Sequence, residues 1–489
     1  MSRKPNILIF MTDHQRGDSV FKSNGVIMPN LNKLMENGVT FSESFCPMPH
    51  CCPSRATFFS GLYPSQHGIW NNVANGMALS TDLKSGVRLF SEDLKDAGYK
   101  LSYAGKWHVC RDETPADRGF EELPGISASK GDRHGDRWNM IERRALAAKK
   151  NAGTARRDGE IPRSGYAAHT LYGARDEGNR HDEQAVAEAA AKIREYARDK
   201  DAPWCVFVGP YMPHAPYFVP QKYLDMYPIE EIELPASYYD TLEDKPNYYR
   251  KLRQMSFGQM SESEYRQAIR HFRAMCTYLD DLFGILTDTL RSVGQLENTL
   301  VLYTSDHGDY AGEHGLFHKG VPAFRGAYHI PAVISWPAGI NNPNRVVDSM
   351  VSMADFAPTF LEAAGIAPDE RMAGKSLIPF LTGGQPPDSW RKSIFTQCNG
   401  VENYFTQRSV ITKDYRYTYN GFDFDELYDL RSDPDEMKNL SSDPRYDNVK
   451  KELCREMWRF ARETGDTLAE SGGYIMVSTA AHGPGIIFE

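Results

Sequence analysis

The stretch Asn6-Ile7-Leu8-Ile9-Phe10-Met11-Thr12-Asp13-His14 decides how the chain folds. A short apolar run that stops at Asp13-His14 is the pattern of a strand buried on both faces, with polar groups delivered at its carboxyl end. Thr299-Leu300-Val301-Leu302-Tyr303-Thr304 repeats the design and stops at Ser305-Asp306-His307-Gly308. Working outward, Lys100 to Ala104 ends in Gly105-Lys106-Trp107-His108, and Trp204 to Val208 leads into Gly209 through His214. Four strand ends therefore carry groups capable of chemistry.

Helical patterns separate these strands: Met28 to Asn37 opening with Pro29, Leu89 to Ala97, Asp182 to Lys200, and Glu262 to Leu290. Strands alternating with helices predict an α/β fold with a large, mostly parallel sheet sandwiched by helices, where ligands sit beyond the carboxyl ends of the strands. The four polar ends are expected to converge. The Gly- and Pro-rich stretch Leu381-Thr382-Gly383-Gly384-Gln385-Pro386-Pro387 marks a linker, dividing the chain into residues 1–385 and a smaller unit, 386–489. In the smaller unit Ser393 to Gln397, Phe405 to Thr412 and Tyr415 to Tyr419 read as an antiparallel sheet with Lys413-Asp414 as a hairpin turn, and Tyr446 to Arg462 as a helix closing one face. Residues 127–180, rich in Gly, Arg and Lys and weakly periodic, read as an insertion over the site, a lid or a subunit contact.

The chain has 489 residues, 56 Lys+Arg against 65 Asp+Glu, and 41% hydrophobic residues, a globular composition. No run reaches the ~18 apolar residues of a membrane-spanning helix, so no membrane partner is expected. A net charge of −9 without a long basic block argues against nucleic acid. The N-terminus lacks the apolar segment of a secretory leader, which places the chain as written in the cytoplasm, or in the periplasm if a leader has been removed. Eight cysteines, at 46, 51, 52, 110, 205, 276, 398 and 454, form no CxxC pair and read mostly as buried thiols rather than a disulfide framework. The adjacent Cys51-Cys52 is the exception.

Cys51-Cys52-Pro53-Ser54-Arg55 continues through Ala56-Thr57-Phe58-Phe59-Ser60-Gly61-Leu62-Tyr63-Pro64. A thiol opening a helix has a depressed pKa and is nucleophilic. The run resembles the signature of the type I, formylglycine-dependent sulfatases of the alkaline phosphatase-like superfamily: C-x-P-S-R, then a helix and a turn. The resemblance implies that a formylglycine-generating maturase converts Cys51, the cysteine in register, to formylglycine. One hydroxyl of the hydrated aldehyde would attack sulfur, and the other would expel sulfate by collapse to the aldehyde. The likeness extends over residues 5 to 440 apart from the insertion, and includes Glu426-Leu427-Tyr428-Asp429-Leu430 through Leu440, expected as a strand, a turn and a helix start.

Within that resemblance Asp13, Asp306 and His307 match metal positions, and His14 stands where many relatives have a second Asp or an amide. Two carboxylates joined by an oxygen of modified Cys51 suit a hard divalent cation, Ca²⁺ first and Mg²⁺ next; the softer His14 and His307 keep Mn²⁺ open. For His14, a place beside the ion is as open as a place on it. Lys106 and His108 match the GKWH element, and Lys319, in Gly315-Leu316-Phe317-His318-Lys319-Gly320, matches the second sulfate-binding lysine. Two ammonium groups stabilise charge on the sulfate oxygens as the ester breaks. His214, in Met212-Pro213-His214-Ala215-Pro216, matches the histidine that protonates the leaving alcohol. Arg55 is expected to hold the hydrate against the metal, and His108 to take the proton that triggers sulfate release. Trp70, Asn71, Asn72, Arg118, Arg325 and His329 flank these motifs and are expected to line the pocket.

The function implied is hydrolysis of a sulfate monoester, a sulfated sugar or a small aryl or alkyl sulfate, with homo-oligomerisation left open. Asp306-His307 also resembles the phosphonate monoester hydrolases and phosphodiesterases of the superfamily, which are the first alternative. Uncharged hydroxyl residues tend to replace Lys106 and His108 in those enzymes, so the intact pair favours sulfate. The second alternative is a sulfated-glycan binder whose Cys51 stays a thiol. Retention of the nucleophile, the acid and both lysines argues against it.

Overall fold

A computed structural model of the chain describes residues 4–74, 78–125, 142, 145–146, 149, 155–163, 166–199, 202–383, 387–400, 403–467 and 482–488. Most of the first half of the expected 127–180 insertion, and the 384–386 part of the linker, lie outside the described residues. The described strands are, in chain order, β1 (Asn6–Thr12), β2 (Gly38–Phe45), β3 (Lys100–Gly105), β4 (Glu121–Glu122), β5 (Glu160–Arg163), β6 (Tyr166–Thr170), β7 (Tyr172–Arg175), β8 (Trp204–Gly209), β9 (Tyr217–Pro220), β10 (Thr299–Ser305), β11 (Ala332–Ser335), β12 (Arg345–Ser352), β13 (Ile394–Cys398), β14 (Gln407–Ile411), β15 (Tyr415–Asn420) and β16 (Glu426–Asp429).

Eight strands form one sheet in the order β12-β2-β11-β10-β1-β8-β3-β4. Only β11 runs antiparallel to its neighbours, so the sheet is mostly parallel, as the alternation of elements implies. The consecutive strands β10-β1-β8-β3 are the four whose carboxyl ends lead to Asp306, Asp13, His214 and Lys106. They finish level, since Thr12 pairs with Ser305, Phe10 with Val208 and Gly105 with Gly209. The ladder continues one step further: Asp13 N donates to Met212 O at 3.2 Å, Asp306 N to Thr12 O at 3.1 Å and Lys106 N to Gly209 O at 2.8 Å. Gly105 has a φ of 89°, and a Cβ there would lie 2.2 Å from the Gly209 carbonyl oxygen. Only glycine allows β3 and β8 to stay this close up to the site.

The helix Cys51–Ser60 is buried along its whole length and ends at Gly61, whose φ of 69° is the left-handed stop. Pro53 lies in its first turn, where a missing N–H breaks no helical bond. The helices Pro29–Glu36, Phe90–Asp96, Arg180–Tyr196 and Glu262–Ser292 follow the expected patterns. Among the described residues no helix is long and apolar enough to cross a membrane.

In the C-terminal part β13, β14, β15 and β16 make a four-stranded antiparallel sheet. The helix Asp447–Glu463 packs Leu453, Met457 and Trp458 onto Val410, Tyr417 and Leu427, a small core of its own. The helix start expected near Leu440 is absent, and the helix begins at Asp447. Asn439 is committed instead to tying β16 down: its Oδ1 accepts from Leu427 N at 3.0 Å and its Nδ2 donates to Asp244 O and Asp425 O.

Candidate active site

Cys51 stands at the first turn of its buried helix with its sulfur aimed at the level strand ends. Its Sγ lies 3.3 Å from Lys319 Nζ, 3.4 Å from His307 Nε2 and 3.8 Å from Asp13 Oδ1. Lys106 donates to Asp13 Oδ2. Burial pushes the Cys51 thiol up, but the charges of Lys106, Lys319 and His307 outweigh it and hold the group well below the ordinary thiol range. The helix N-terminus adds its own partial positive charge.

Arg55, one helical turn on, is fully buried and spans the two metal-position carboxylates. Its Nε donates to Asp306 Oδ2 at 2.9 Å and its Nη1 to Lys106 O at 3.0 Å. Its Nη2, 4.0 Å from Asp13 Oδ2, is buried with no hydrogen-bond partner among the described residues. Asp306 Oδ1 accepts the N–H groups of His14 and His307 at 3.3 and 2.9 Å, which orients the carboxylate.

His14 and His108 adopt left-handed backbone, with φ of 73° and 51°. That conformation costs roughly 1–2 kcal/mol for a residue with a Cβ, and here it ends two strands next to the site. His14 Nδ1 lies 3.0 Å from Asp309 Oδ2, and its Nε2 accepts from Lys319. Burial, then the Lys319 charge, holds His14 well below the usual histidine range, so its ring is neutral. Burial and Lys319 likewise push His214 down to about 3. The His214 ring is tilted 50° to that of His14, ring centres 4.1 Å apart, and its Nδ1 lies 2.6 Å from Ala215 O. For His108 burial opposes the cation, but Cys52 and hydrogen bonding to Cys51 and Cys52 raise it to about 9.

The donor set fits a divalent cation. Asp13, His14, Cys51 and His307 each offer a ligand atom within 4.8 Å of the others, with both ring nitrogens of His14 already engaged by Lys319 and Asp309, and Asp306 Oδ1 is 3.5 Å from His307 Nε2. Burial, then the neighbouring Asp13, pushes the Asp306 carboxyl up. Arg55 and Lys106 offset part of the charge of the two buried carboxylates, and a cation held beside them would offset the rest.

A cavity of about 520 Å³ opens on this cluster, lined by Lys106, His108 and His214 together with Arg175, Asn179, Tyr211, Phe218 and Met275. All ten residues singled out from the motifs are thus brought together. The flanking residues are not among those lining this cavity. Arg118 is held by Glu113 and Glu92, Arg325 is paired to Glu43, and His329 lies 2.8 Å from Ser42 O. Asn71 bonds Gly400 O, Asn72 accepts from Cys52 N, and the Trp70 ring faces the Arg408 guanidinium. Nearness in sequence placed these side chains beside the motifs without giving their direction.

Sequence reasoning missed Asp182, Asp309 and Arg175. Asp182 is 1% exposed and accepts the N–H groups of Tyr211 and Met212 at 2.8 and 3.0 Å, anchoring the loop that carries His214. Its sequence signal is that of an acid in a helix's first turn, behind the capping Asn179, and nothing in it points to a loop some thirty residues away. Asp309 follows the Asp306-His307 motif closely, and that spacing was the available clue.

The family model named Sulfatase matches residues 5–366, and one described as N-sulphoglucosamine sulphohydrolase, C-terminal, matches residues 312–463. A choline-sulfatase of Rhizobium meliloti is 28% identical over 463 residues, spanning 90% of this chain and 83% of that protein. A solved structure in complex with its substrate D-glucosamine-2-N,6-O-disulfate superposes with a TM-score of 0.72 at 21% identity, covering 95% of this chain and 99% of that one. The phosphonate monoester hydrolase of Agrobacterium radiobacter also superposes at 0.72, with 24% identity over 94% of this chain and 96% of that one. At such identities the superpositions show a shared fold. The family match runs through Cys51, Arg55 and all four strand ends, and the chain belongs to the sulfatase family of the alkaline phosphatase-like superfamily, enzymes that hydrolyse sulfate esters.

Proposed function

We propose that the protein cleaves a sulfate monoester with a formylglycine made from Cys51 as its nucleophile. The observation that carries this reading is the setting of Cys51: its sulfur lies between the Lys319 ammonium at 3.3 Å and His307 at 3.4 Å, with Asp13 and Lys106 adjoining. A hydrated formylglycine supplies an oxygen nucleophile that later releases sulfate without attack of water on sulfur, and a divalent cation at Asp13, Asp306 and His307, Ca²⁺ first with Mg²⁺ or Mn²⁺ as alternatives, favours its ionised hydroxyl. Cys51 is 1% exposed, so the maturase must reach it before the helix is buried.

The chain's own groups divide the remaining work. Arg55 Nη2 donates to the modified side chain. Lys106, held by Asp13, and Lys319, held by His14, face the sulfate oxygens on which charge builds. His214, with Nδ1 turned to Ala215, keeps Nε2 for the leaving alcohol. The negative charge of the bound ester raises this histidine from its low value in the free protein and so keeps the proton there. His108 takes the proton that triggers sulfate release; its raised pKa stems from two thiols, and conversion of Cys51 removes one of them.

Peptide mass analysis around Cys51, on protein made with a maturase, is expected to show CH₂SH replaced by CHO, together with turnover of an aryl sulfate. An unmodified thiol with no turnover would leave a sulfated-glycan binder. The phosphonate monoester hydrolase reading has Asp306-His307 in its favour, and the intact Lys106 and His108 against it. A larger kcat/KM for an aryl phosphonate monoester than for the aryl sulfate would reverse the order.

A further inference from the structure

Arg175 ends β7, whose parallel pairing with β9 sets it beside Pro220, and it lines the same cavity as Lys106. Its Nη2 donates to Phe218 O at 2.7 Å, which fixes the guanidinium against the β9 backbone. Its Nε is buried and has no hydrogen-bond partner among the described residues. Arg55 is neutralised by Asp306, Arg118 by Glu113 and Glu92, and Arg325 by Glu43. Arg175 has no such ion pair among the described residues, and none of the described residues lining the cavity is acidic.

We propose that Arg175 binds a second anionic group, a carboxylate or a sulfate, on the alcohol half of the ester. This rests on the sulfate-ester reading above. With the reacting sulfate at Lys106 and Lys319, the leaving oxygen faces His214 and the alcohol extends into the cavity, between the Phe218 and Met275 side chains, toward Arg175. A guanidinium with an uncommitted buried donor is satisfied by an oxyanion, and its planar fork suits carboxylate and sulfate alike. An alcohol carrying a cation meets the Arg175 guanidinium in a cavity whose described lining holds no carboxylate, so a quaternary ammonium ester, the kind its choline-sulfatase relative is named for, is disfavoured here.

The test uses the full chain, made with a maturase, and three aryl sulfates of matched leaving group: 3-(4-sulfooxyphenyl)propanoate, 4-ethylphenyl sulfate and tyramine O-sulfate. Wild type is expected to prefer the carboxylate over the neutral ester about 10-fold or more in kcat/KM, the scale of one hydrogen bond to a charged group, and to handle the cationic ester worst. Arg175→Gln collapses that ratio and Arg175→Lys retains part of it, with melting temperature checking the fold. Comparing glucosamine N,6-disulfate with N-acetylglucosamine 6-sulfate asks whether sulfate or carboxylate gives the larger Arg175-dependent ratio. Calorimetric binding of the product 3-(4-hydroxyphenyl)propanoate needs no turnover and is expected to weaken in Arg175→Gln. Arg175-dependent binding without sulfate turnover would sink the sulfate-ester reading and keep this site. Turnover and binding that ignore the second charge, or ratios equal in wild type and Arg175→Gln, would overturn the inference.

Discussion

Lys319 donates to His14 Nε2 beside the Cys51 sulfur, while His14 Nδ1 lies 3.0 Å from Asp309 Oδ2. For His14 to accept from an ammonium, its ring must be neutral with the proton on Nδ1, and Asp309 is placed to take that proton's hydrogen bond. Asp309 thus sets the tautomer, and His14 aims the lysine. Lys319→Ala is expected to lower kcat/KM for 4-nitrophenyl sulfate about 10²-fold or more, the scale of losing a charge stabiliser. His14→Ala should lose part of that alone and add little in the Lys319→Ala background. Kinetics of both single variants and the double variant decide it, since additive losses would uncouple the two residues. Metal content of His14→Ala, read by plasma mass spectrometry, is expected to match wild type; a loss would make His14 a ligand.

Asp13 and Asp306 are both fully buried, and burial followed by Asp13 already pushes the Asp306 carboxyl up. Removing a cation held beside them would leave two like charges in a dry site with only Arg55 and Lys106 to offset them. Chelation is expected to abolish turnover and lower the melting temperature, with Ca²⁺, Mg²⁺ or Mn²⁺ restoring both. An unchanged melting temperature after verified metal removal would argue against an ion at these carboxylates.

His214→Ala should damage alkyl sulfates more than 4-nitrophenyl sulfate, by about 10-fold or more, because an acidic phenol leaves without a proton and an alkoxide does not. A series of aryl sulfates of graded phenol acidity reads this as a steeper dependence on leaving-group pKa. An identical slope in variant and wild type would deny His214 the acid role.

Burial holds the Asp182 carboxyl up at about 7 despite the bonds it accepts from Tyr211 and Met212. Between the unfolded value of roughly 3.9 and this folded value, the native state keeps a proton that the unfolded chain has lost. The contribution of Asp182 to stability therefore falls as pH rises from about 4 to about 7 and is flat on either side. Urea unfolding across that range should show wild type losing stability relative to Asp182→Asn. A pH-independent difference between the two would place the folded pKa near its ordinary value. Asp182→Ala, which orphans two N–H groups, is expected to lose about 1–3 kcal/mol.

The strands that reach the site were legible because a strand buried on both faces is a plain apolar run, and its abrupt polar end is equally plain. Their adjacency was not. Nothing local in Asn6–Thr12 or Thr299–Ser305 states that β1 lies between β10 and β8, because that order comes from how the crossover helices pack. The same limit explains the flanking arginines: Arg118 and Arg325 were expected in the pocket, and acids elsewhere in the chain, Glu113 with Glu92 and Glu43, had captured them. Asn439 shows it in the smaller unit, where a side chain bonded to β16 delayed a helix start.

By itself the sequence determined the chemistry available: a cysteine in a sulfatase-like frame, carboxylates and histidines at strand ends, and two lysines suited to an anion. Each of these is a covalent or local property, readable from residue type and spacing. Only the tertiary structure decided which of those groups face one another, which charges are already satisfied and which, like Arg55 Nη2 and Arg175 Nε, are left with a free donor. Those are matters of distance and burial between residues far apart in the chain, and interactions between such groups depend on separation and surroundings rather than on order along the backbone.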